Sequence, residues 1–172
     1  MVVGREIHPA GLDAEQLLRQ CDVRRTRRSG PGGQHRNKVE TAVVIAHRVT
    51  GIRGEASERR SQPENLRAAI RRLRLNLALG VRHAVDPRRS PSALWQRRCP
   101  GGRMSVSPKH ADFPALLAEA LDAVFSQGAD VTAAADRLGC TRSQLVKLLR
   151  TEPRALGLLN EQRAALGLRP LR

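Results

Sequence analysis

Tyrosine is absent from these 172 residues, and the whole aromatic complement is Trp95, Phe113 and Phe125. A protein that grips unpaired bases by stacking needs several aromatic faces in one groove, so a stacking platform is excluded. No stretch approaches the roughly 20 consecutive apolar residues of a spanning helix. The opening "MVVGREIHPA" lacks the apolar region of a signal peptide, and the basic segments carry no interleaved Trp or Phe to anchor in a membrane interface. The expectation is a cytoplasmic protein that engages no membrane. Cysteine is scarce and scattered: Cys21, Cys99 and Cys140 form no C-x-x-C pair, which fits a reducing compartment. The five histidines (8, 35, 47, 83 and 110) show no ligand spacing, so neither a metal nor a cofactor is expected.

Positive charge is what the sequence has in excess. The formal net charge is +15, and 28 of the 31 cations are arginine. Residues 1–110 hold 23 Lys/Arg against 9 Asp/Glu, whereas residues 111–172 hold 8 against 7. A GC-rich genome inflates arginine, but it would not confine the excess to one part of the chain. The contrast points to an N-terminal part that meets a polyanion and a C-terminal part with another task. With aromatics so few, binding is expected to be arginine-to-phosphate and led by shape, as for structured RNA.

The coarse pattern is α+β. "DAEQLLRQ" (13–20) predicts a short helix with Asp13 as N-cap. Residues 22–28 are compatible with a strand, a glycine-rich stretch follows, and "AVVIAHR" (42–48) is a β-branched run. The "TG" at 50–51 predicts a turn into a strand at 52–57. "SQPE" then supplies Ser61 as N-cap, Pro63 in the first turn and Glu64 for a capping box. The helix after it places Leu66, Ile70, Leu73 and Leu77 on one face and Arg67, Arg71 and Arg74 on another. Together these predict a small sheet covered by an amphipathic helix, within residues 1–80.

Residues 81–111 contain four prolines, two glycines and seven Lys/Arg with no periodic apolar face, which reads as a basic flexible linker. Residues 112–172 read as an all-α module. Asp112 and Pro114 open a helix with Leu117, Leu121, Val124 and Phe125 on one side, closed by Gly128. "VTAAADRLGCTRSQLVKLLR" (131–150) resembles a helix-turn-helix, with Ala135 at the close approach, Gly139 in the turn, and Leu138, Leu145 and Leu148 buried. That spacing suits a nucleic-acid-binding module and a packing unit equally. A last helix is expected over about 154–166.

The densest charge surrounds the most permissive backbone, in "RRTRRSGPGGQHRNK" (24–38). The glycines do not fit G-x-G-x-x-G, because His35 stands where the third belongs, and no window supplies a P-loop or G-x-S-x-G. A second "PGG" at 100–102 shows that the glycine pair alone means nothing. The first copy differs in Gln34, in the arginines before it and in strand-like sequence on both sides.

"SGPGGQHRNKVETAVVIAH", followed by "TGI" and "RSQPEN", resembles the GGQ catalytic domain of class I peptide chain release factors and the stand-alone ribosome-rescue hydrolases built on it. The likeness covers about residues 20–80. It departs at Arg36, where the family usually has an apolar residue. The resemblance implies hydrolysis of the ester between nascent peptide and P-site tRNA in the peptidyl transferase centre of the large ribosomal subunit. Gly32, Gly33 and Gln34 would form the catalytic tip. Arg24, Arg25, Arg27, Arg28, His35, Arg36, Asn37, Lys38 and Arg60 would meet ribosomal RNA. Asn37 and Glu40 could instead cap a short helix after the tip, and His47 reads as a strand or core histidine. No general base is apparent, and the resemblance implies that ribosome and tRNA supply the rest of the site. It also implies N5-methylation of Gln34 by a glutamine methyltransferase, and a monomer.

Codon-reading members of that family carry a Pro-x-Thr or Ser-Pro-Phe recognition tripeptide, and neither occurs in this sequence. The expectation is therefore codon-independent release in ribosome rescue. Two alternatives stand beside it. One is a rescue factor for split large subunits that uses its C-terminal module to bind tRNA or a partner. The other is a non-enzymatic helix-turn-helix regulator that binds RNA or DNA.

Overall fold

Strand β2 (Ala42–His47) is the centre of an antiparallel sheet of order β1-β2-β3, with β1 at Cys21–Thr26 and β3 at Arg53–Ala56. The computed structural model describes residues 7–26, 41–86, 88 and 90–172, and the chain divides into two units, Met1–Gly80 and Val81–Arg172. β1 and β2 pair from Cys21↔His47 to Thr26↔Ala42, and β2 and β3 pair from Val43↔Ala56 to Ala46↔Arg53. A β-branched run suits the central strand, where Val43 and Ile45 are buried. The turn from β2 to β3 uses Gly51 at φ +69°, and its amide donates to His47 O at 2.8 Å.

Helix α1 (Ala14–Arg19) precedes β1, and the Asp13 carboxylate caps it by accepting from Gln16 N at 2.7 Å. Helix α2 (Gln62–Gly80) lies over β2 and β3. Ser61 Oγ accepts from Glu64 N at 3.4 Å, half of the expected capping box. The buried stripe of α2 is Asn65, Ala69, Leu73 and Leu77, whereas Leu66 and Ile70, expected on that face, are only half-buried. The stripe is turned because small residues let the helix ride close to the sheet. A Cβ built on Gly54 of β3 would sit 2.3 Å from Ala69 O and 2.5 Å from Leu73 N. Arg67 and Arg71 point outward, but Arg74 is half-buried and donates from Nε to Ala10 O at 2.9 Å. The first unit is the small helix-covered sheet that the sequence predicts, and the fold class is α+β.

The second unit is all-helical, with α3 (Ala93–Arg98), α4 (Phe113–Ser126), α5 (Val131–Leu138), α6 (Arg142–Arg150) and α7 (Pro153–Ala165). Leu116, Leu117, Leu121 and Val124 of α4 are fully buried, and α5, α6 and α7 pack around them. α5 and α6 make the expected pair. Gly139 sits between them at φ +64°, ψ +34°, Ala135, Leu138, Leu145 and Leu148 are buried, and Thr141 Oγ1 caps α6 by accepting from Gln144 N at 3.2 Å.

The structure differs over residues 81–111. Expected as a flexible linker, they belong to the second unit and pack into it. Arg82 Nη1 meets Asp122 Oδ1 of α4 at 2.9 Å, and the same oxygen accepts His83 N at 3.1 Å. The Arg82 guanidinium also stands 5.6 Å from the Phe125 ring. Ser92 donates to Glu119 through its amide, 2.6 Å, and its hydroxyl, 2.5 Å. Trp95 is 1% exposed and donates from Nε1 to Leu138 O at 2.8 Å. Asp112 does not cap α4 with its side chain; the carboxylate pairs with Arg98 at 2.8 Å. One tryptophan and a few charged anchors hold this segment, and none of them produces a period. The second "PGG" is a turn here, with Gly101 and Gly102 at φ +57° and +77°.

Candidate functional site

Antiparallel pairing decides which residues meet at one end of the first unit. β1 ends at Thr26 opposite Ala42, where β2 begins, and the C-terminal residue of β3, Ala56, pairs with Val43. The chain enters segment 27–40 from β1 and returns from it into β2. The turn 57–61, which leads from β3 into α2, starts from the same end. Arg24 and Arg25 lie near the end of β1 and Arg60 lies in that turn, all three exposed. Three of the predicted RNA-contacting residues are thus brought to one end of the sheet. Gly32, Gly33, Gln34, Arg27, Arg28, His35, Arg36, Asn37 and Lys38 lie outside the described residues, as does the capping expected of Asn37 and Glu40.

β1 is exposed because α2 covers β2 and β3 instead. Of its six residues only Cys21 is buried, and even Val23 is 42% exposed. Arg24 and Arg25 therefore stand exposed on this strand.

One residue that sequence reasoning did not single out binds this end together. Asn65, on the first turns of α2, is fully buried and uses both ends of its amide. Nδ2 donates to Thr41 O at 2.6 Å and to Arg59 O at 2.9 Å, and Oδ1 accepts from Arg59 N at 3.0 Å. Thr41 is the last residue before β2 and Arg59 is the neighbour of Arg60. Asn65 therefore fixes the return point of segment 27–40 to the turn that carries Arg60. Its signal lay in "RSQPEN", but an asparagine inside a helix reads by pattern as exposed.

The opposite end of β2 is closed by His47, which is 3% exposed, as expected of a core histidine. Nε2 contacts Gln20 Oε1 at 3.2 Å and Nδ1 contacts Thr50 Oγ1 at 2.9 Å. The amide oxygen of Gln20 only accepts, so Nε2 carries the proton and Nδ1 accepts from the threonine hydroxyl. Burial, then the adjacent Arg48, pushes the His47 pKa below its usual value, so the ring is a neutral strut. It sits at the end of β2 away from Ala42, opposite Cys21. No group of three or more His, Cys, Asp or Glu that could hold a metal occurs among the described residues.

The model of the RF-1 domain family matches residues 17–98. Those residues hold the whole sheet, α2 and the Gly32-Gly33-Gln34 sequence. Residues 17–98 are an RF-1 domain. They are a GGQ domain of the class I release factor family. Peptide chain release factor 1 of Caulobacter vibrioides is 39% identical over 90 residues, 51% of this chain and 25% of that protein. Peptide chain release factor 1 of Leptospira biflexa is 34% identical over 110 residues, 63% of this chain and 31% of the relative. The chloroplastic peptide chain release factor PrfB1 of Arabidopsis thaliana is 48% identical over 56 residues, 33% of this chain and 12% of its own length. The chain spans about a quarter of the length of the Caulobacter protein and less than a third of either other relative. No solved structure matches the chain. The RF-1 domain match runs past Gly80 into α3, so residues 81–98 share a family likeness with the sheet while packing in the second unit. No helix among the described residues is long and apolar enough to cross a membrane.

Proposed function

We propose that this chain is a ribosome-dependent peptidyl-tRNA hydrolase that releases nascent peptides without reading a codon, in ribosome rescue. The observation that carries the reading is the placement of Gly32-Gly33-Gln34 in an RF-1 domain, in the segment between two strands whose paired ends are Thr26 and Ala42. The exposed Arg24, Arg25 and Arg60 at that end support an approach to phosphate.

Water attacks the ester carbonyl carbon of peptidyl-tRNA, and a tetrahedral state with negative oxygen forms before the 3′-oxygen leaves. The amide N–H of Gln34 donates to the charge that develops there; one fixed donor of this kind is worth about 10²–10³ in rate. Gly32 and Gly33 permit backbone angles closed to other residues and bring no Cβ against RNA. The Gln34 side chain positions water and excludes larger nucleophiles. Arg24, Arg25, Arg27, Arg28, Arg36, Lys38 and Arg60 neutralise ribosomal RNA phosphates, with His35 and Asn37 beside the tip. The partners are large-subunit RNA and P-site peptidyl-tRNA, and Gln34 is the residue a glutamine methyltransferase would modify.

Release of labelled peptide from ribosomes carrying truncated mRNA, a stop codon or no mRNA tests this reading. Wild-type protein should release from truncated and mRNA-free complexes without preferring a stop codon. Gln34→Pro, which removes the amide N–H, should lower the rate by about 10²–10³-fold while ribosome binding persists. Gln34→Ala, which keeps that N–H, should lose the side chain's positioning of water and so release less selectively for water. Wild-type rates from Gln34→Pro would overturn the mechanism, and strict stop-codon dependence would overturn the rescue role.

A further inference from the structure

We propose that α6 and the C-terminal segment beside it form an RNA-binding groove, making the second unit a docking module for structured RNA. The groove has a volume of about 400 Å³ and is lined by Arg142, Ser143, Lys147 and Arg150 of α6 and by the segment from Pro170 to Arg172. Positions 142, 143, 147 and 150 fall on one helical face, and all four residues are exposed. The opposite face is anchored in the core by Leu145, Leu148 and Leu149, each at most 4% exposed. The cations therefore project from a rigid support.

The far wall is equally fixed. Asn160 of α7 clamps Leu171 twice, accepting its N–H at 2.8 Å and donating to its carbonyl at 3.0 Å. Leu171 is 8% exposed as a result, and Arg172 lines the groove beside it. α6 contains no acidic residue, and among the described residues no carboxylate pairs with Arg142, Lys147, Arg150 or Arg172. The near-neutral total for residues 111–172 hides this patch, because the acids lie elsewhere: Glu119 holds Ser92, Asp122 holds Arg82, and Glu152 holds Arg154.

Eight residues separate Arg142 from Arg150, about 12 Å along a helix, so the cations suit a run of phosphates better than a single anion. The second helix of a helix-turn-helix pair is the one that faces nucleic acid, and α6 holds that position after the Gly139 turn. Without aromatic residues on this face, affinity comes from phosphate and shape. The choice of RNA over DNA rests on the peptide-release reading of the RF-1 domain in the same chain.

The test uses the full chain and a triple variant, Arg142→Gln with Lys147→Gln and Arg150→Gln, which keeps good helix formers on α6. Binding to a labelled RNA hairpin, and to a DNA hairpin of the same sequence, is measured across a salt series. The variant should keep the wild-type circular dichroism and bind the RNA hairpin about tenfold or more weakly. Its log–log salt slope should be shallower by about 2 to 3, the contribution of three lost phosphate contacts. Unchanged affinity and slope would overturn the groove, and tighter wild-type binding to DNA than to RNA would overturn the RNA assignment. Peptide release by the wild-type protein is read in parallel. If release fails but the triple variant still loses RNA affinity, the release reading falls and the groove stands. If release is normal and RNA binding is untouched by the triple variant, the groove alone falls.

Discussion

Three polar side chains are buried among the described residues, His47, Asn65 and Asp122, and each joins pieces of chain far apart in sequence. Asn65 matters most for the proposed chemistry, because it holds Thr41, the residue through which segment 27–40 rejoins the sheet. Asn65→Ala strips partners from one buried donor and two acceptors, each worth about 1–3 kcal/mol when left unsatisfied. It should lower the stability of the first unit by about 3 kcal/mol, as read in a denaturant melt. Asn65→Asp keeps the acceptor for Arg59 N and loses both donations. It sets a carboxylate oxygen against the Thr41 and Arg59 carbonyls in a fully buried site, so it should cost at least as much stability as the alanine variant. It should also release peptide more slowly than wild type at saturating protein. Wild-type release by Asn65→Asp would remove Thr41 anchoring from the account. At this scale the sequence was unevenly legible. His47 announces itself by standing in an apolar strand, whereas Asn65 stands among polar residues at a helix start, where nothing distinguishes a buried amide from a solvated one.

Elements were easier to read than faces. α1, the three strands and the α5–α6 pair lie close to their expected positions, because caps, β-branched runs and a turn glycine are local signals. The buried stripe of α2 escaped periodicity, since its first half is Asn65 and Ala69 rather than Leu66 and Ile70. That stripe exists because β3 presents Gly54, and the closeness of helix to strand is a property of the pair. Gly54→Val tests it. Even the first added carbon would meet Ala69 O at 2.3 Å and Leu73 Cβ at 2.7 Å, and backbone cannot swing aside as a side-chain tip can. The variant should lose about 3 kcal/mol or more, the upper range for overpacking, and amides of β3 should exchange faster. A melting temperature within a degree or so of wild type would mean that α2 rides further from the sheet.

At the scale of the whole molecule, the charge contrast drawn between residues 110 and 111 does not coincide with the division after Gly80: residues 1–80 hold 16 Lys/Arg against 8 Asp/Glu and residues 81–172 hold 15 against 8. Residues 81–111 looked like a linker because prolines, glycines and arginines are the usual vocabulary of one. Their anchoring depends on partners more than 25 residues away, such as Asp122 for Arg82 and Leu138 for Trp95, which no local window contains. The consequence can be measured on fragments. A fragment of residues 81–172 keeps Trp95, whose loss alone would cost about 3–5 kcal/mol, and it keeps the cation that pairs with Asp122. A fragment of residues 112–172 loses both and leaves a buried carboxylate uncompensated, a change costing about 3–5 kcal/mol where the pair is fully buried. Arg82 is partly exposed, so the lower end applies. Together these approach the whole stability of an ordinary domain, about 5–15 kcal/mol. The longer fragment should therefore melt cooperatively by far-ultraviolet circular dichroism, and the shorter one should show a broad, low transition at the same concentration. Equal midpoints for the two fragments would mean that α4 to α7 stand without the segment before them.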